Sequence, residues 1–358
     1  MIYPLIQVKG GMDQIYEVPL VFFENISTAT SCSDVLFPQW FRPVYRRCSG
    51  VKDHFEKLFK AFKRLSRAKQ RVVIDTYRNS RNIKAICSNI GNLYPSLEKF
   101  DQSIRIPLAK LFEFLFNETL GTAIFKRQAK MHIDDHYAAF QQANNVHVCP
   151  FCGLETYTLP VFRRAEYDHF LPISTYPWLG VNLNNLVPMG DHCNGKKNAC
   201  NILYSDRLAT LRRAVWYPYE WINHSITLSC LEKPSLANMK GVWKTTFKAA
   251  SANNQDKVKT WNDVFEIPLR FEAHISTYHK RFIEDFAHKN KLKGQKLTIS
   301  QLISELIEYR NNRIGDIKLE TMAKLKFVWA DYHIKTKDSL QLAIFVNAIA
   351  YQRPRIKP

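Results

Sequence analysis

The sequence has few acidic residues for its number of basic ones. Lys and Arg number 51 and Asp and Glu 32, which gives a formal net charge of +19 and a pI near 9.5. Such a surplus repels itself in a compact state and is typical of proteins that bind polyanions. Contacts between Lys or Arg and phosphates supply most of a protein's non-specific affinity for nucleic acid, so nucleic acid is the expected partner.

Long apolar runs are also missing. No segment approaches the roughly 20 apolar residues needed to cross a bilayer, and no lipidation motif is present, so we expect no membrane association. Met1–Gly11 lacks a basic segment followed by an apolar one, so we expect no secretory signal and a cytoplasmic protein. Hydrophobic residues still make up 46% of the chain, enough to build a core.

Closely spaced cysteines are scarce. Of the eight cysteines, only Cys149 and Cys152 form a tight pair. This excludes the dense disulfide framework of small secreted proteins and favours reduced thiols with one metal site.

The chain divides by composition into three predicted regions. Residues 1–145 form a basic, mainly helical region, 146–204 a small module rich in turn-forming residues, and 205–358 a second mainly helical region. We therefore expect an α+β fold that is mostly helical. The first 40 residues look irregular and strand-like, although the short apolar segment 16–23 cannot be assigned to an element. Residues 225–231 alternate like a strand.

Helices are predicted where apolar residues recur every three or four positions. Helices are expected around 106–116 and 133–143, and Thr298 with Gln301 has the spacing of a capping box at the start of another. The clearest stripe consists of Phe55, Leu58, Phe59, Phe62 and Leu65.

The segment 52–84 around that stripe is strongly basic. It contains eleven Lys or Arg and three acids, Asp53, Glu56 and Asp75. Its basic side chains either form a solvated helix face or bind a nucleic-acid backbone. The sequence leaves both possibilities open.

Four short motifs fall in the module 146–204. Cys149-Pro-Phe-Cys-Gly can form a tight knuckle that aims two thiolates at one Zn²⁺. Asp168 and His169 place a carboxylate beside an imidazole after a strand-like run, 161–167. Asn185 follows, and then Cys193-Asn-Gly-Lys-Lys, which can open a helix whose free amides face an anion. Each motif alone is weakly informative.

In this order and spacing, the motifs resemble those of the HNH endonucleases, over about 60 of the 358 residues. That resemblance implies a zinc-supported ββα-metal core that hydrolyses phosphodiester bonds, DNA more often than RNA. It implies that His169 is the general base, that Asp168 binds a catalytic Mg²⁺ or Mn²⁺, and that Asn185 orients the base. It further implies that Asn194 is a second metal ligand and that Lys197 contacts phosphate.

The zinc ligands depart from the family pattern. The relatives carry a second C-x-x-C pair that ends at the position of Cys193, but its partner position here is Gly190. A structural zinc needs four ligands. Beyond Cys149, Cys152 and Cys193, the candidates are His192, which we favour, Cys200 and His147. Cys200 lies seven residues after Cys193, about 10.5 Å along a continuous helix, and would require a break in that helix.

The arrangement of one such core between helical flanks resembles the nuclease subunits of Septu-type anti-phage systems, some of them linked to retrons. That resemblance implies a partner ATPase of the ABC/SMC kind. No G-x-x-x-x-G-K-[ST] loop is present, so the ATPase would be another chain. The alternative is a non-catalytic zinc-ribbon or scaffold subunit that binds nucleic acid without cutting it.

Overall fold

The structure is a computed structural model that describes residues 2–156, 167–198, 200–206, 208–235, 237–292, 297–336 and 338–350. The fold is mostly helical with two small antiparallel sheets, which confirms the predicted α+β class. It forms two compact units. We call Pro4–Asn145 with Ala165–Glu220 the N-terminal unit, and Met1–Tyr3, Val146–Arg164 and Trp221–Pro358 the C-terminal unit. The predicted module 146–204 contributes residues to both.

The N-terminal unit packs its helices around an aromatic core. Its described elements are α1 (Glu17–Ile26), α2 (Arg42–Arg47), α3 (Ser49–Lys63), α4 (Arg67–Asn79), α5 (Ile83–Ser88), α6 (Gln102–Asn117), α7 (Ala123–Ala129), α8 (Ile133–Asn144), β1 (Tyr167–His169), β2 (Leu186–Pro188) and α9 (Asp191–Asn198). The predicted stripe on α3 is buried, including Leu65 just beyond the helix. Each buried Phe or Leu of this kind contributes about 1.5–3 kcal/mol. The helices expected around 106–116 and 133–143 are confirmed as α6 and α8.

The strand-like reading of the first 40 residues is wrong over Gly11–Ile26. Gly11–Tyr16 is a 3-10 helix that leads into α1, whose buried residues are Val18, Pro19, Phe22, Phe23 and Ile26. Pro19 lies in the first turn of α1, where its missing N–H removes no helical hydrogen bond. The buried positions recur at helical spacing, and the proline lies at the start of the helix rather than interrupting it.

The C-terminal unit combines a hairpin with five helices in its described residues. The elements are β3 (His224–Glu232), β4 (Val242–Ala249), α10 (Ala252–Phe265), α11 (Ile267–Lys289), α12 (Ile299–Asp316), α13 (Ala323–Thr336) and α14 (Ser339–Ala350). β3 confirms the strand expected at 225–231, and the Thr298–Gln301 capping box is formed at the start of α12. No described helix is long and apolar enough to span a membrane.

Candidate active site

Two short paired strands of the N-terminal unit position Asp168 and His169, which both lie on β1. β1 and β2 pair antiparallel, with His169 opposite Leu186 and Asp168 opposite Val187. Successive side chains on a strand point to opposite faces. Accordingly, His169 is 6% exposed, whereas the side chain of Asp168 keeps 18% of its surface exposed. The strand-like segment 161–166 lies outside the described residues, as does the side chain of Tyr167.

The His169 ring is fixed from two sides. Its Nε2 lies 3.0 Å from the carbonyl oxygen of Gly180, and Phe116 of α6 packs edge-on at 4.4 Å between ring centroids. A carbonyl oxygen only accepts, so Nε2 carries the proton and the neutral ring keeps its lone pair on Nδ1. Burial lowers the pKa of His169 to about 4, partly offset by the Gly180 hydrogen bond. The ring is therefore a neutral base with one reactive nitrogen.

Asn185 is fully buried and holds the loop between β1 and β2. Its Oδ1 accepts from the Leu171 amide at 2.8 Å, and its Nδ2 donates to the carbonyls of Leu171 at 2.9 Å and Leu179 at 3.4 Å. Its own carbonyl accepts from Phe170. Leu179 directly precedes Gly180, so Asn185 fixes the backbone that orients His169. It acts on the base through the loop rather than by touching the ring.

Lys197 joins α9 to β1. Its ammonium lies 2.8 Å from Asp168 Oδ2 and donates to the His169 carbonyl at 2.6 Å, and its side chain is 1% exposed. Burial lowers the pKa of Lys197, an effect that the nearby Asp168 carboxylate opposes. The observed partners of Lys197 are thus protein groups, and its contact with phosphate stays a prediction.

Asn194 is half-buried on α9, three residues before Lys197. Residues three apart share a helix face, so the face docked on Asp168 also carries Asn194. Its Oδ1 accepts a hydrogen bond from Asn198 at 2.9 Å. The structure therefore brings Asp168, His169 and Lys197 into contact and places Asn194 one turn away.

The donor set on this face suits a hard divalent ion. Carboxylate and amide oxygens are the ligands that Mg²⁺ and Mn²⁺ prefer. Within the described ranges, no residue bonds to Asp168 Oδ1, which leaves that oxygen available as a ligand. Asp168 and Asn194 are the residues that would hold the ion.

The predicted cysteine knuckle is formed in the C-terminal unit. Cys149 and Cys152 are buried with their sulfurs within 4.8 Å of each other, a spacing that two thiolates at about 2.3 Å from one zinc can adopt. The Leu154 amide lies 3.4 Å from Cys152 Sγ, and Gly153 takes a positive φ of 68°. A left-handed residue at this turn favours glycine.

The other predicted zinc ligands differ in exposure. Cys193 is buried on α9 of the N-terminal unit, whereas the side chain of His192 is exposed. Cys200 is half-buried with its sulfur 3.7 Å from the Lys196 carbonyl, and His147 is exposed. The complete four-ligand set stays a prediction.

Aromatic residues of the loop build core. Tyr176 and Trp178 are 0% and 1% exposed and pack with Tyr94. Sequence reasoning missed Gly180 and Phe116: a backbone carbonyl has no signature in the sequence, and Phe116 reads as an ordinary residue of an amphipathic helix.

Comparison with known proteins gives one short similarity. Over 60 residues, or 17% of this chain, the sequence is 42% identical to the Septu protein PtuB of Bacillus thuringiensis. The match spans 22% of that protein. No protein-family model matches the chain, and no solved structure is significantly similar to it.

Proposed function

We propose that this chain is a metal-dependent endonuclease of the HNH type. The observation that carries the proposal is His169, a buried neutral imidazole whose Nε2 is held by the Gly180 carbonyl beside the carboxylate of Asp168. A protein that only binds nucleic acid has no use for a base oriented in this way. The antiparallel strands followed by a docked helix support the same proposal.

The chemistry follows from the available atoms. Nδ1 of His169 accepts a proton from the water that attacks the phosphodiester. Because burial lowers the pKa of the ring, the imidazole is unprotonated at neutral pH and its lone pair is available. Asp168 and Asn194 offer oxygens to a Mg²⁺ or Mn²⁺ ion, which when bound supplies positive charge near the departing oxygen. Asn185 and Phe116 position the base, because they fix the loop and the ring.

The setting we propose is anti-phage defence of the Septu type. It rests on the similarity to PtuB together with the motif resemblance. We further propose a separate ATPase partner of the ABC/SMC kind.

The test is cleavage of plasmid DNA, single-stranded DNA and total RNA by the purified chain, with Mg²⁺ or EDTA. We expect cleavage that requires the ion and falls about 10²–10⁴-fold in His169→Ala, the usual contribution of a general base. The control is His288→Ala, which removes an exposed imidazole from the C-terminal unit. Cleavage that survives in His169→Ala would remove that residue from the role of base.

We also propose a structural zinc bound through Cys149 and Cys152. Metal analysis of the purified chain should give about one zinc per chain, reduced in Cys152→Ser but not in Cys87→Ser, which changes a buried thiol outside the knuckle. Removal of a structural zinc should lower the melting temperature, because its binding energy contributes to folding. A zinc content equal in both variants would contradict the assignment.

A further inference from the structure

A basic groove runs between α3 and α6 of the N-terminal unit. The groove encloses about 530 Å³, and its lining includes Lys57, Lys60, Arg64 and Lys110 but no Asp or Glu. It lies within the strongly basic segment that the sequence left open between a solvated face and a binding surface. A helix face that only contacts solvent does not need to line a groove, so the groove favours a binding surface.

Two of the four basic side chains that line the groove form ion pairs with acidic residues, and two do not. Lys57 pairs with Asp53 at 2.6 Å, and Lys110 pairs with Glu113 at 2.7 Å. Neither Lys60 nor Arg64 has an ion pair with any residue in the described part of the chain. Both are exposed and lie four residues apart, Lys60 in the last turn of α3 and Arg64 at its C-cap.

Like charges spaced in this way destabilise a helix by about 0.2–0.5 kcal/mol. An anion bound between them would turn that repulsion into attraction. Two adjacent exposed cations therefore fit a ligand that carries regularly spaced negative charges.

The groove wall also offers apolar surface. Ile106 is 73% exposed and Pro107 lies beside it on α6. His54 and Lys110 also line a smaller recess of about 230 Å³ farther along α6, where the His54 ring packs on Phe114 at 4.6 Å. Cations beside apolar and aromatic surface are the combination that binds a nucleic-acid strand, through phosphates and bases respectively.

The same helix reaches the candidate active site. Phe116, which packs on His169, lies six residues after Lys110, about 9 Å along the axis at 1.5 Å per residue. The two residues lie about 120° apart around the helix at 3.6 residues per turn, so a bound strand must curve around the end of α6 to reach His169. The groove thus lies near the base without being part of it.

We infer that the groove between α3 and α6 binds the phosphodiester backbone of the nucleic acid that the chain cuts, with Lys60 and Arg64 contacting phosphates. This inference rests on the proposed function and adds a substrate-binding site that is separate from the proposed catalytic residues. The charge pattern assigns the backbone as the ligand, not a particular base sequence.

The experiment measures binding of the full-length chain to fluorescent single-stranded DNA, duplex DNA and single-stranded RNA in EDTA, from 50 to 200 mM salt. The variant is Lys60→Ala with Arg64→Ala, since alanine preserves the helix. The charge-matched control is Lys244→Ala with Lys248→Ala, two exposed lysines on β4. Thermal melting followed by circular dichroism checks that both remain folded.

We expect the groove variant to bind at least one of these nucleic acids about 10-fold more weakly at 100 mM salt. The magnitude of the slope of log affinity against log salt should fall by about 1.4–1.8, which is about 0.7–0.9 for each of the two lost phosphate contacts. The control should keep the wild-type slope to within about 0.5. Which oligonucleotide shows the effect identifies DNA or RNA as the source of the backbone.

An unchanged slope in the folded groove variant would overturn the inference, and so would an equal loss in the control. Vesicles containing phosphatidylserine provide the competing ligand: loss of vesicle binding in the groove variant, with oligonucleotide binding intact, would assign the surface to membranes instead. Cleavage in Mg²⁺ is measured in parallel. Groove-dependent binding without cleavage would refute the proposed nuclease while leaving the groove assignment intact.

Discussion

His169 in the N-terminal unit and His333 in the C-terminal unit are both buried histidines with lowered pKa values, yet their surroundings differ. His333 is 3% exposed, and burial lowers its pKa to about 3. Both of its ring nitrogens lack a hydrogen-bond partner among the described residues, and its ring packs on Trp329 and Tyr332 at 5.0 and 4.9 Å. His169 instead has a carbonyl on Nε2 and a carboxylate next to it in the chain.

The difference shows that burial alone does not distinguish the proposed base, His169, from an ordinary core histidine. Desolvation disfavours the charged ring in both places. What separates them is a partner that fixes the tautomer and a neighbouring group that can hold an ion. Without such groups, as at His333, a lowered pKa shows only that the imidazole is packed in the core.

Replacing each histidine in turn should give the largest difference between the two, measured as the rate of cleavage. We expect His169→Ala to lose about 10²–10⁴-fold in cleavage rate and His333→Phe to stay within about twofold of the wild type. Phe keeps a flat aromatic ring, although a slightly larger one, and removes two nitrogens that have no hydrogen-bond partner among the described residues. Rates under single-turnover conditions at pH 7.5 are the measurement. A large loss in His333→Phe would break the comparison.

The support beneath His169 has no counterpart at His333, and Asn185→Ala removes it. Three hydrogen bonds to the loop are lost, so we expect the loop backbone and the Gly180 carbonyl to shift. A misplacement of about 1 Å can cost about 100-fold, and we expect a loss of about 10–100-fold in rate. The neighbouring Asn184→Ala serves as the control. Equal rates for both variants would show that the loop needs no such clamp.

The charge next to His169 can be tested with a pair of lysines. Lys197→Met removes the ammonium from a buried ion pair, and Lys259→Met removes one from a pair with Asp263 in which the lysine side chain is 71% exposed. We expect about 1–3 kcal/mol of destabilisation at Lys197, because Asp168 is left only partly solvated, and at most about 1 kcal/mol at Lys259. Urea unfolding measures both. The comparison fails if the exposed pair costs more.

The smallest effect concerns the pH dependence of stability. The folded pKa of His333 lies far below the unfolded value of about 6.5, so the unfolded chain binds protons first as the pH falls. The free energy of unfolding therefore decreases as the pH falls below about 6.5. Between pH 7 and 6 the share of one such histidine is about 0.7 kcal/mol. His333→Phe should lose that much less than the wild type in urea unfolding at the two pH values. An identical pH dependence would place the pKa of His333 near 6.5.

Local patterns predicted much of the helical fold. The stripe on α3 and the Thr298–Gln301 cap depend on residues three or four apart, and both are formed. The helix at Glu17–Ile26 was not predicted, because its apolar segment 16–23 is too short to separate a helix from a strand by its pattern.

The candidate site was only partly predictable for a different reason. Asp168 and Lys197 are 29 positions apart, and their ion pair depends on α9 docking against β1, which no short window of sequence contains. The burial of Lys197 follows from that docking. The Asn185 clamp likewise could be expected only as a role implied by resemblance, whereas its bonds to Leu171 and Leu179 needed the folded loop.

The imidazole of His169, the proposed base, is oriented by the carbonyl of Gly180, so its orientation depends on the main chain rather than on another side chain. Glycine has no side chain, so the contribution of Gly180 cannot be measured by removing one. A methyl group added at Gly180 would lie 3.1 Å from the Pro177 carbonyl oxygen, so the loop that carries the Gly180 carbonyl would have to shift by a few tenths of an ångström. A substitution at Gly180 would therefore impair the site by adding atoms rather than by removing a functional side chain.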